Sequence, residues 1–320
     1  MDQEHPFVGI DVSKDHLDVA VGTEGQGWQV SQTDEGMDEL VERLKAISPR
    51  LVVLEATGGL EMACAAAMAT GGIPAVVVNP RQVRDFARAT GKLAKTDRLD
   101  ARVLARFAQA VRPEIRPLPD AETRMLSDIV ARRRQVVGMV TAEKNRLHTA
   151  HPPVRDDVLQ HIAWLEDNLS KLDKTLDESV RKSPLWREKN DLLRSVPGVG
   201  PVLSMSILSD LPELGQLDRR QIAALVGVAP INRDSGAFRG KRAVWGGRAR
   251  LRAALYMGTL VATRYNPIIR VFYERLCAAG KTKKVALTAC MRKLLVLLNA
   301  MVKHSTLWMH RAPQFIGPCQ

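Results

Sequence analysis

The stretch Phe7-Val-Gly-Ile-Asp-Val-Ser-Lys-Asp-His-Leu-Asp-Val-Ala-Val21 decides the fold. Apolar residues alternate with others on both sides of a polar turn, the period-two pattern of two short antiparallel strands. Phe7 to Val12 and His16 to Gly22 are the predicted strands, and Trp28 to Ser31 is a third, which makes a meander. Downstream come a helix over Met37 to Ala46, the apolar run Leu51 to Leu54, a helix over Glu61 to Thr70 and a strand Pro74 to Asn79. Helices over Arg81 to Arg88 and Arg98 to Val111 complete the segment. Three antiparallel strands followed by alternating helices and parallel strands is the order of a ribonuclease-H-like sheet. A dinucleotide-binding domain would instead open with βαβ and a glycine fingerprint, and residues 1–112 have neither.

Pro113-Glu-Ile-Arg-Pro-Leu-Pro119 cannot continue a helix and is a linker. Beyond it the period changes. Leu126, Arg133, Val140 and Leu147 recur every seven residues, and after His151-Pro152-Pro153 the spacing resumes from Val158 through Leu165 and Leu172 to Val180. Two long helices joined by a Pro-Pro turn, about Ala121 to Arg181, predict an antiparallel coiled coil whose register is loosened by Arg133 and Lys144. From Asp191 the chain is helical and punctuated by glycine, with closing helices near Ile268 to Ala279 and Lys284 to Lys303. The expected organisation is therefore an α/β domain at 1–112, a linker and coiled coil at 113–190, and a mainly α-helical domain at 191–320.

Composition narrows the function. The 320 residues include 47 Lys plus Arg and 35 Asp plus Glu, a net charge of +12, with 45% hydrophobic and only 4% aromatic residues. A pI near 9.8 points to a polyanionic partner without specifying chemistry. The acidic start and the lack of a long uninterrupted apolar window predict a soluble intracellular protein with no membrane span. Cys64, Cys277, Cys290 and Cys319 form no C-x-x-C pair and are expected as reduced, mostly buried thiols.

Four carboxylates from separate segments have one plausible meeting point. Asp11 lies within a strand, where an ionised carboxylate is costly unless a cation or hydrogen bonds offset it. Glu55 ends the neighbouring strand, and Asp97 and Asp100 share a helix face three residues apart. Together they suit Mg²⁺, a hard cation that prefers oxygen ligands, held against a phosphodiester. Spacing alone leaves Asp18, Glu61 and Asp85 able to join or replace them. A basic run containing Arg81, Arg84, Lys92 and Lys95 surrounds the acidic pair, either a solvated face or a collar for a phosphate backbone.

Val196-Pro-Gly-Val-Gly-Pro201 is similar to the hairpin of a helix-hairpin-helix element, where Gly198 and Gly200 would let backbone N–H groups approach a phosphate; an ordinary Gly-rich turn is the competing reading. Asn232-Arg-Asp-Ser-Gly236 opens a second basic stretch that includes Arg233, Arg239, Lys241, Arg242 and Arg248. A hydroxyl there, on Ser235, would have cations to stabilise a phosphoryl transition state. His148 and His151 have no third ligand nearby, and Gly91-Lys92 lacks the spacing of a phosphate-binding loop.

GIDVSKDHLDVAV, VLEATGG, NPRQVRDFARATGKLAKTDRLDAR, VPGVGP, GVAPINRDSGAFRGKR and GGRARLRAALYM together resemble the DEDD-type transposases of minimal insertion sequences, the bridge-RNA-guided recombinases. The resemblance runs over nearly the whole length in the family's order. It implies a RuvC-like N-terminal domain with Asp11, Glu55, Asp97 and Asp100 as its metal-binding acids. It further implies a coiled-coil arm and a C-terminal transposase domain in which Ser235 forms a covalent phosphoserine link to DNA. The implied partners are donor and target DNA, a structured noncoding bridge RNA and further copies of the chain, in dimers that assemble to a tetramer. A bacterial, cytoplasmic protein that is nucleoid-associated when active is the corresponding setting. The competing enzyme is a RuvC-like structure-selective nuclease that hydrolyses DNA through metal-activated water and has no use for Ser235; a noncatalytic DNA-binding protein would leave Asp11 without a purpose.

Overall fold

The computed structural model describes residues 5–22, 27–91, 97–115, 120–232, 234–236, 238–240 and 242–308. The chain divides into two compact units, 1–119 and 120–320.

The first unit is built from β1 (Phe7–Val12), β2 (His16–Val21), β3 (Gly27–Ser31), α1 (Asp34–Ile47), β4 (Leu51–Glu55), α2 (Glu61–Thr70), β5 (Ala75–Val78), α3 (Pro80–Ala89) and α4 (Asp97–Val111). The strands form one sheet in the order β3-β2-β1-β4-β5; β1 pairs antiparallel with β2 and parallel with β4. Even-numbered residues of β1 and β4 (Val8, Ile10, Val52, Leu54) pack with Leu40, Leu44 and Met68 of α1 and α2. Odd-numbered residues (Phe7, Leu51, Val53) pack with Val83, Leu104 and Phe107 of α3 and α4. Helices on both faces explain why these strands are apolar almost throughout. The predicted meander and alternation are the observed ones. Helix α1 begins a turn earlier than its apolar period suggests, because Thr33 caps Gly36 N and Asp34 and Glu35 occupy the first turn.

The second unit contains α5 (Ala121–Thr149), α6 (Pro152–Lys182), α7 (Pro184–Arg194), α8 (Pro201–Asp210), α9 (Arg219–Val226), the two-residue strands β6 (Pro230–Ile231), β7 (Asp234–Ser235), β8 (Phe238–Arg239) and β9 (Ala243–Val244), then α10 (Ala249–Tyr265), α11 (Pro267–Ala278) and α12 (Lys283–Lys303). Sequence periodicity missed the four short strands, which are too brief to display a period. Helices α5 and α6 pack side by side: Val136, Val140 and Leu165 are buried together, with Leu169 and Leu172 against them. Arg133, an awkward residue on that seam, donates to Asp173 on α6 at 2.5 Å, and Lys144 pairs with Glu166 at 2.7 Å. The base of this hairpin is not set apart from the helices that follow, since Leu126, Val130, Leu176 and Val180 share one core with α7 to α12. By length and composition α12 would be able to cross a membrane. Leu287, Cys290, Leu294, Leu295 and Leu298 are nevertheless buried in that same unit, as befits a core helix.

Candidate active site

The sheet register brings the first acids together. Ile10 of β1 pairs with Leu54 of β4, so Asp11 and Glu55 are the next residues on adjacent parallel strands and project to one face. Across the antiparallel pair Asp11 is opposite Asp18. This is the face to which Gly9 also points, and α4 lies directly on it. A Cβ built on Gly9 would come within 2.6 Å of Leu104 Cβ and closer still to the backbone of Ala101 and Ala105. Because Arg112, just past the far end of α4, lies over the Phe7 ring at 5.8 Å, the helix runs antiparallel to β1. Its first turn, with Asp97 and Asp100, is thereby at the Asp11 end. Asp11, Glu55 and Asp100 are each partly buried; the Asp97 side chain lies outside the described residues.

Among the described residues no three His, Cys, Asp or Glu side chains are gathered closely enough to hold a metal ion. The candidate ligands described on this face, Asp11, Glu55 and Asp100, offer carboxylate oxygens, and that chemistry fits Mg²⁺. The three acids whose roles spacing left open separate in space. Asp18, 6% exposed, takes the Gln29 side-chain amide on both carboxylate oxygens at 3.3 Å and stays on the acidic face. Glu61 accepts from the backbone N–H groups of Thr57 and Gly59, both at 2.9 Å. Asp85 is a surface residue of α3 with Arg88 4.0 Å away. Arg81 and Arg84 are exposed on α3, whose first turn is capped by Asn79; Lys92 and Lys95 lie outside the described residues.

Ser235 stands exposed at the end of β7, pairing with Phe238 of β8 across a turn in which Gly236 takes φ +54°. Successive strand residues project oppositely, so Asp234 and Ser235 serve different faces. Asp234 Oδ2 faces Arg242 at 3.4 Å, and Asn232 Oδ1 accepts from the same guanidinium at 2.5 Å. Arg233 and Lys241, and the Arg239 side chain, lie outside the described residues. Ser204 and Ser206 are buried within α8, where their hydroxyls donate to Asn190 and to the Val202 carbonyl.

Two residues expected at a phosphate, Arg248 and Gly198, have structural roles. Arg248 donates to both carboxylate oxygens of Glu213 at 2.6 Å and to the Asp210 carbonyl at 2.8 Å, a fork that ties the loop after α8 to the start of α10. Gly198, at φ +99°, is half-buried against α10, and a Cβ there would lie 2.5 Å from Ala262 Cβ. Helix packing therefore demands this glycine. Gly200 is exposed with open space around it, at the N-cap of α8. A basic pair that sequence spacing hid stands in this unit: Arg134 of α5 and Arg250 of α10. Burial first, then the charge of Arg250, holds the Arg134 pKa below the usual arginine range, with Asp210 opposing. The two residues are 116 positions apart, so only the fold discloses them.

A family model for the DEDD transposases of IS110 elements, described as "Transposase", matches residues 8–150, the acidic face included. A second, described as "Transposase IS116/IS110/IS902 family", matches 190–274, which contains the hairpin glycines and Ser235. The chain is 26% identical over 312 residues to the pilin gene-inverting protein of Moraxella lacunata, covering 93% of this chain and 96% of that one. The pilin gene-inverting protein of Moraxella bovis matches over the same shares. The insertion element IS900 uncharacterized 42 kDa protein of Mycobacterium paratuberculosis is 30% identical over 150 residues, 45% of this chain and 36% of its own. The two models address both units, in order and across the residues whose geometry is given above. The chain belongs to the IS116/IS110/IS902 family of transposases.

Proposed function

We propose that the protein recombines DNA by transesterification, with Ser235 as nucleophile and Asp11, Glu55, Asp97 and Asp100 as the ligands of Mg²⁺. The observation that carries the reading is the acidic face: Asp11 and Glu55 in adjacent register beneath the first turn of a helix that bears Asp97 and Asp100. Bound there, Mg²⁺ would supply Lewis-acid stabilisation of charge on the phosphate oxygens.

Ser235 Oγ forms a bond to phosphorus as one strand's ester oxygen departs, and the serine proton passes to a base. One phosphodiester becomes a phosphoserine ester, so the bond energy is retained without ATP. A hydroxyl of the exchanging strand then attacks the phosphoserine and releases Ser235. Arg242, steadied by Asn232 and Asp234, is placed to balance negative charge near this serine, and Arg233, Arg239 and Lys241 belong to the same basic segment. Arg81, Arg84, Lys92, Lys95 and the Gly200 backbone hold the DNA backbone. A bridge RNA pairs with donor and target DNA, and dimers joined along the α5–α6 hairpin assemble to a tetramer. The protein acts in the bacterial cytoplasm, at the nucleoid. The Moraxella relatives, named for inverting a gene, fit strand exchange better than simple cutting.

The test is a denaturing gel of protein, labelled DNA, RNA and Mg²⁺. Wild type should give a covalent protein–DNA adduct and recombinant product. Ser235→Ala and Asp11→Ala should each abolish product, and the double variant should be no worse than either. Plain cutting by Ser235→Ala would refute the serine mechanism in favour of a metal-dependent hydrolytic nuclease.

A further inference from the structure

Between Glu55 and α2 the chain makes the turn Ala56-Thr57-Gly58-Gly59-Leu60, in which Gly58 and Gly59 adopt φ +69° and +108°. A turn with two left-handed glycines has no stiffness of its own. One carboxylate binds two of its N–H groups. Glu61, at the first position of α2 and 6% exposed, places Oε2 2.9 Å from both Thr57 N and Gly59 N. Two further bonds fix the ends: Thr57 Oγ1 donates to the Glu55 carbonyl at 3.1 Å, and Gln32 Nε2 donates to the Leu60 carbonyl at 3.1 Å. On the β5 side Ala56 N donates to the Val78 carbonyl at 3.0 Å. A buried carboxylate is expensive unless hydrogen-bonded, and here two N–H donors and the N-terminal end of α2 compensate it. That expense is spent on a surface turn that follows Glu55 directly and is tied to its carbonyl.

We infer that Glu61 is a positioning residue for the metal site: by clamping the turn, it fixes the backbone from which Glu55 reaches the face shared with Asp11. The inference rests on the four-acid reading above and assigns Glu61 no contact with metal or DNA. Groups that orient metal-binding side chains commonly change metal affinity by about 10–100-fold when removed.

The experiment measures Mn²⁺ binding to the full-length protein by electron paramagnetic resonance, with amide hydrogen exchange on the same samples. Glu61→Ala should weaken Mn²⁺ binding about 10–100-fold and speed exchange at Thr57 and Gly59. Glu61→Gln keeps one oxygen able to accept both N–H groups, and should bind Mn²⁺ within about threefold of wild type. Wild-type affinity in a Glu61→Ala protein with a released turn would overturn the inference, as would equal losses in Gln and Ala, which would make the charge and not the clamp the essential property. If Glu61→Ala does not fold, Thr57→Val removes only the hydroxyl that ties the turn to Glu55; a several-fold weaker affinity is expected, and an unchanged one overturns the proposal. Glu55→Ala separates the two levels: should it leave Mn²⁺ binding intact, the four-acid site itself fails whatever Glu61 does.

Discussion

Gly9→Ala should uncouple the acidic face while leaving every acid in place. The added Cβ would sit 2.6 Å from Leu104 Cβ, and nearer to the backbone of Ala101 and Ala105. Carbon atoms pack at about 3.5–4.0 Å, so α4 must retreat from β1 by roughly 1 Å. No side-chain rotation relieves the contact, because two of the three obstacles are backbone atoms of one helix. Overpacking of this kind costs about 1–3 kcal/mol, a loss on the order of 5–15 °C in the melting temperature of a unit this size. The functional cost is separate. Asp100 immediately precedes Ala101, so a 1 Å retreat carries it away from Asp11 and Glu55, and displacements of that size at a reacting centre cost about 10²-fold in rate. Gly72→Ala is the control: φ is +71° with nothing within 4 Å of the new Cβ, so only backbone strain of about 1 kcal/mol is introduced, far from the acids. Calorimetric melting and strand-exchange rates, measured on both variants below their transitions, give the comparison. If Gly9→Ala retains the activity of Gly72→Ala, α4 does not position the acids and the argument fails.

Further outcomes follow from charge and burial. Arg134→Ala and Arg250→Ala should each weaken duplex binding and flatten the slope of log affinity against log salt by about one. Arg248→Ala should leave that slope unchanged and instead lower stability by about 1–3 kcal/mol, because it removes the charged fork to Glu213 and the bond to the Asp210 carbonyl; salt-dependent anisotropy and urea melts distinguish the two, and a slope change in Arg248→Ala would contradict the assignment. Burial pushes the Cys64 thiol up to about 12 and the Cys290 thiol up to about 11. Both stay protonated at pH 8 and should resist a thiol reagent that labels the less buried Cys277. Since an unfolded chain ionises these thiols near pH 9, stability should fall as pH rises from 9 towards 12, and labelling of Cys64 at the rate of Cys277 would refute the burial argument.

The sequence by itself determined the strands and layers of the α/β unit. Val8, Ile10 and Val12 alternate with Gly9 and Asp11 at the period of a strand, and a period is a local property that survives without knowledge of the rest of the chain. The same locality lets Pro113 to Pro119 mark the end of the α/β unit and Pro152-Pro153 mark the hairpin. Tertiary structure alone decided which charges are partners. Asp18, Glu61 and Asp85 are equivalent by spacing, yet the fold sends one to the acidic face, one into a turn and one to the surface, because orientation depends on which distant segment covers each residue. Arg248 reads as one more cation in a basic run until Glu213 is found opposite it, whereas Arg134 and Arg250 acquire a shared place only once α5 and α10 both pack on α8. Gly9 is an unremarkable letter in a strand, and Gly198 reads from sequence as a hairpin glycine open to a phosphate. Their meaning lies in the helices packed on them, and a close approach between segments separated by tens of residues leaves no periodic trace in the sequence.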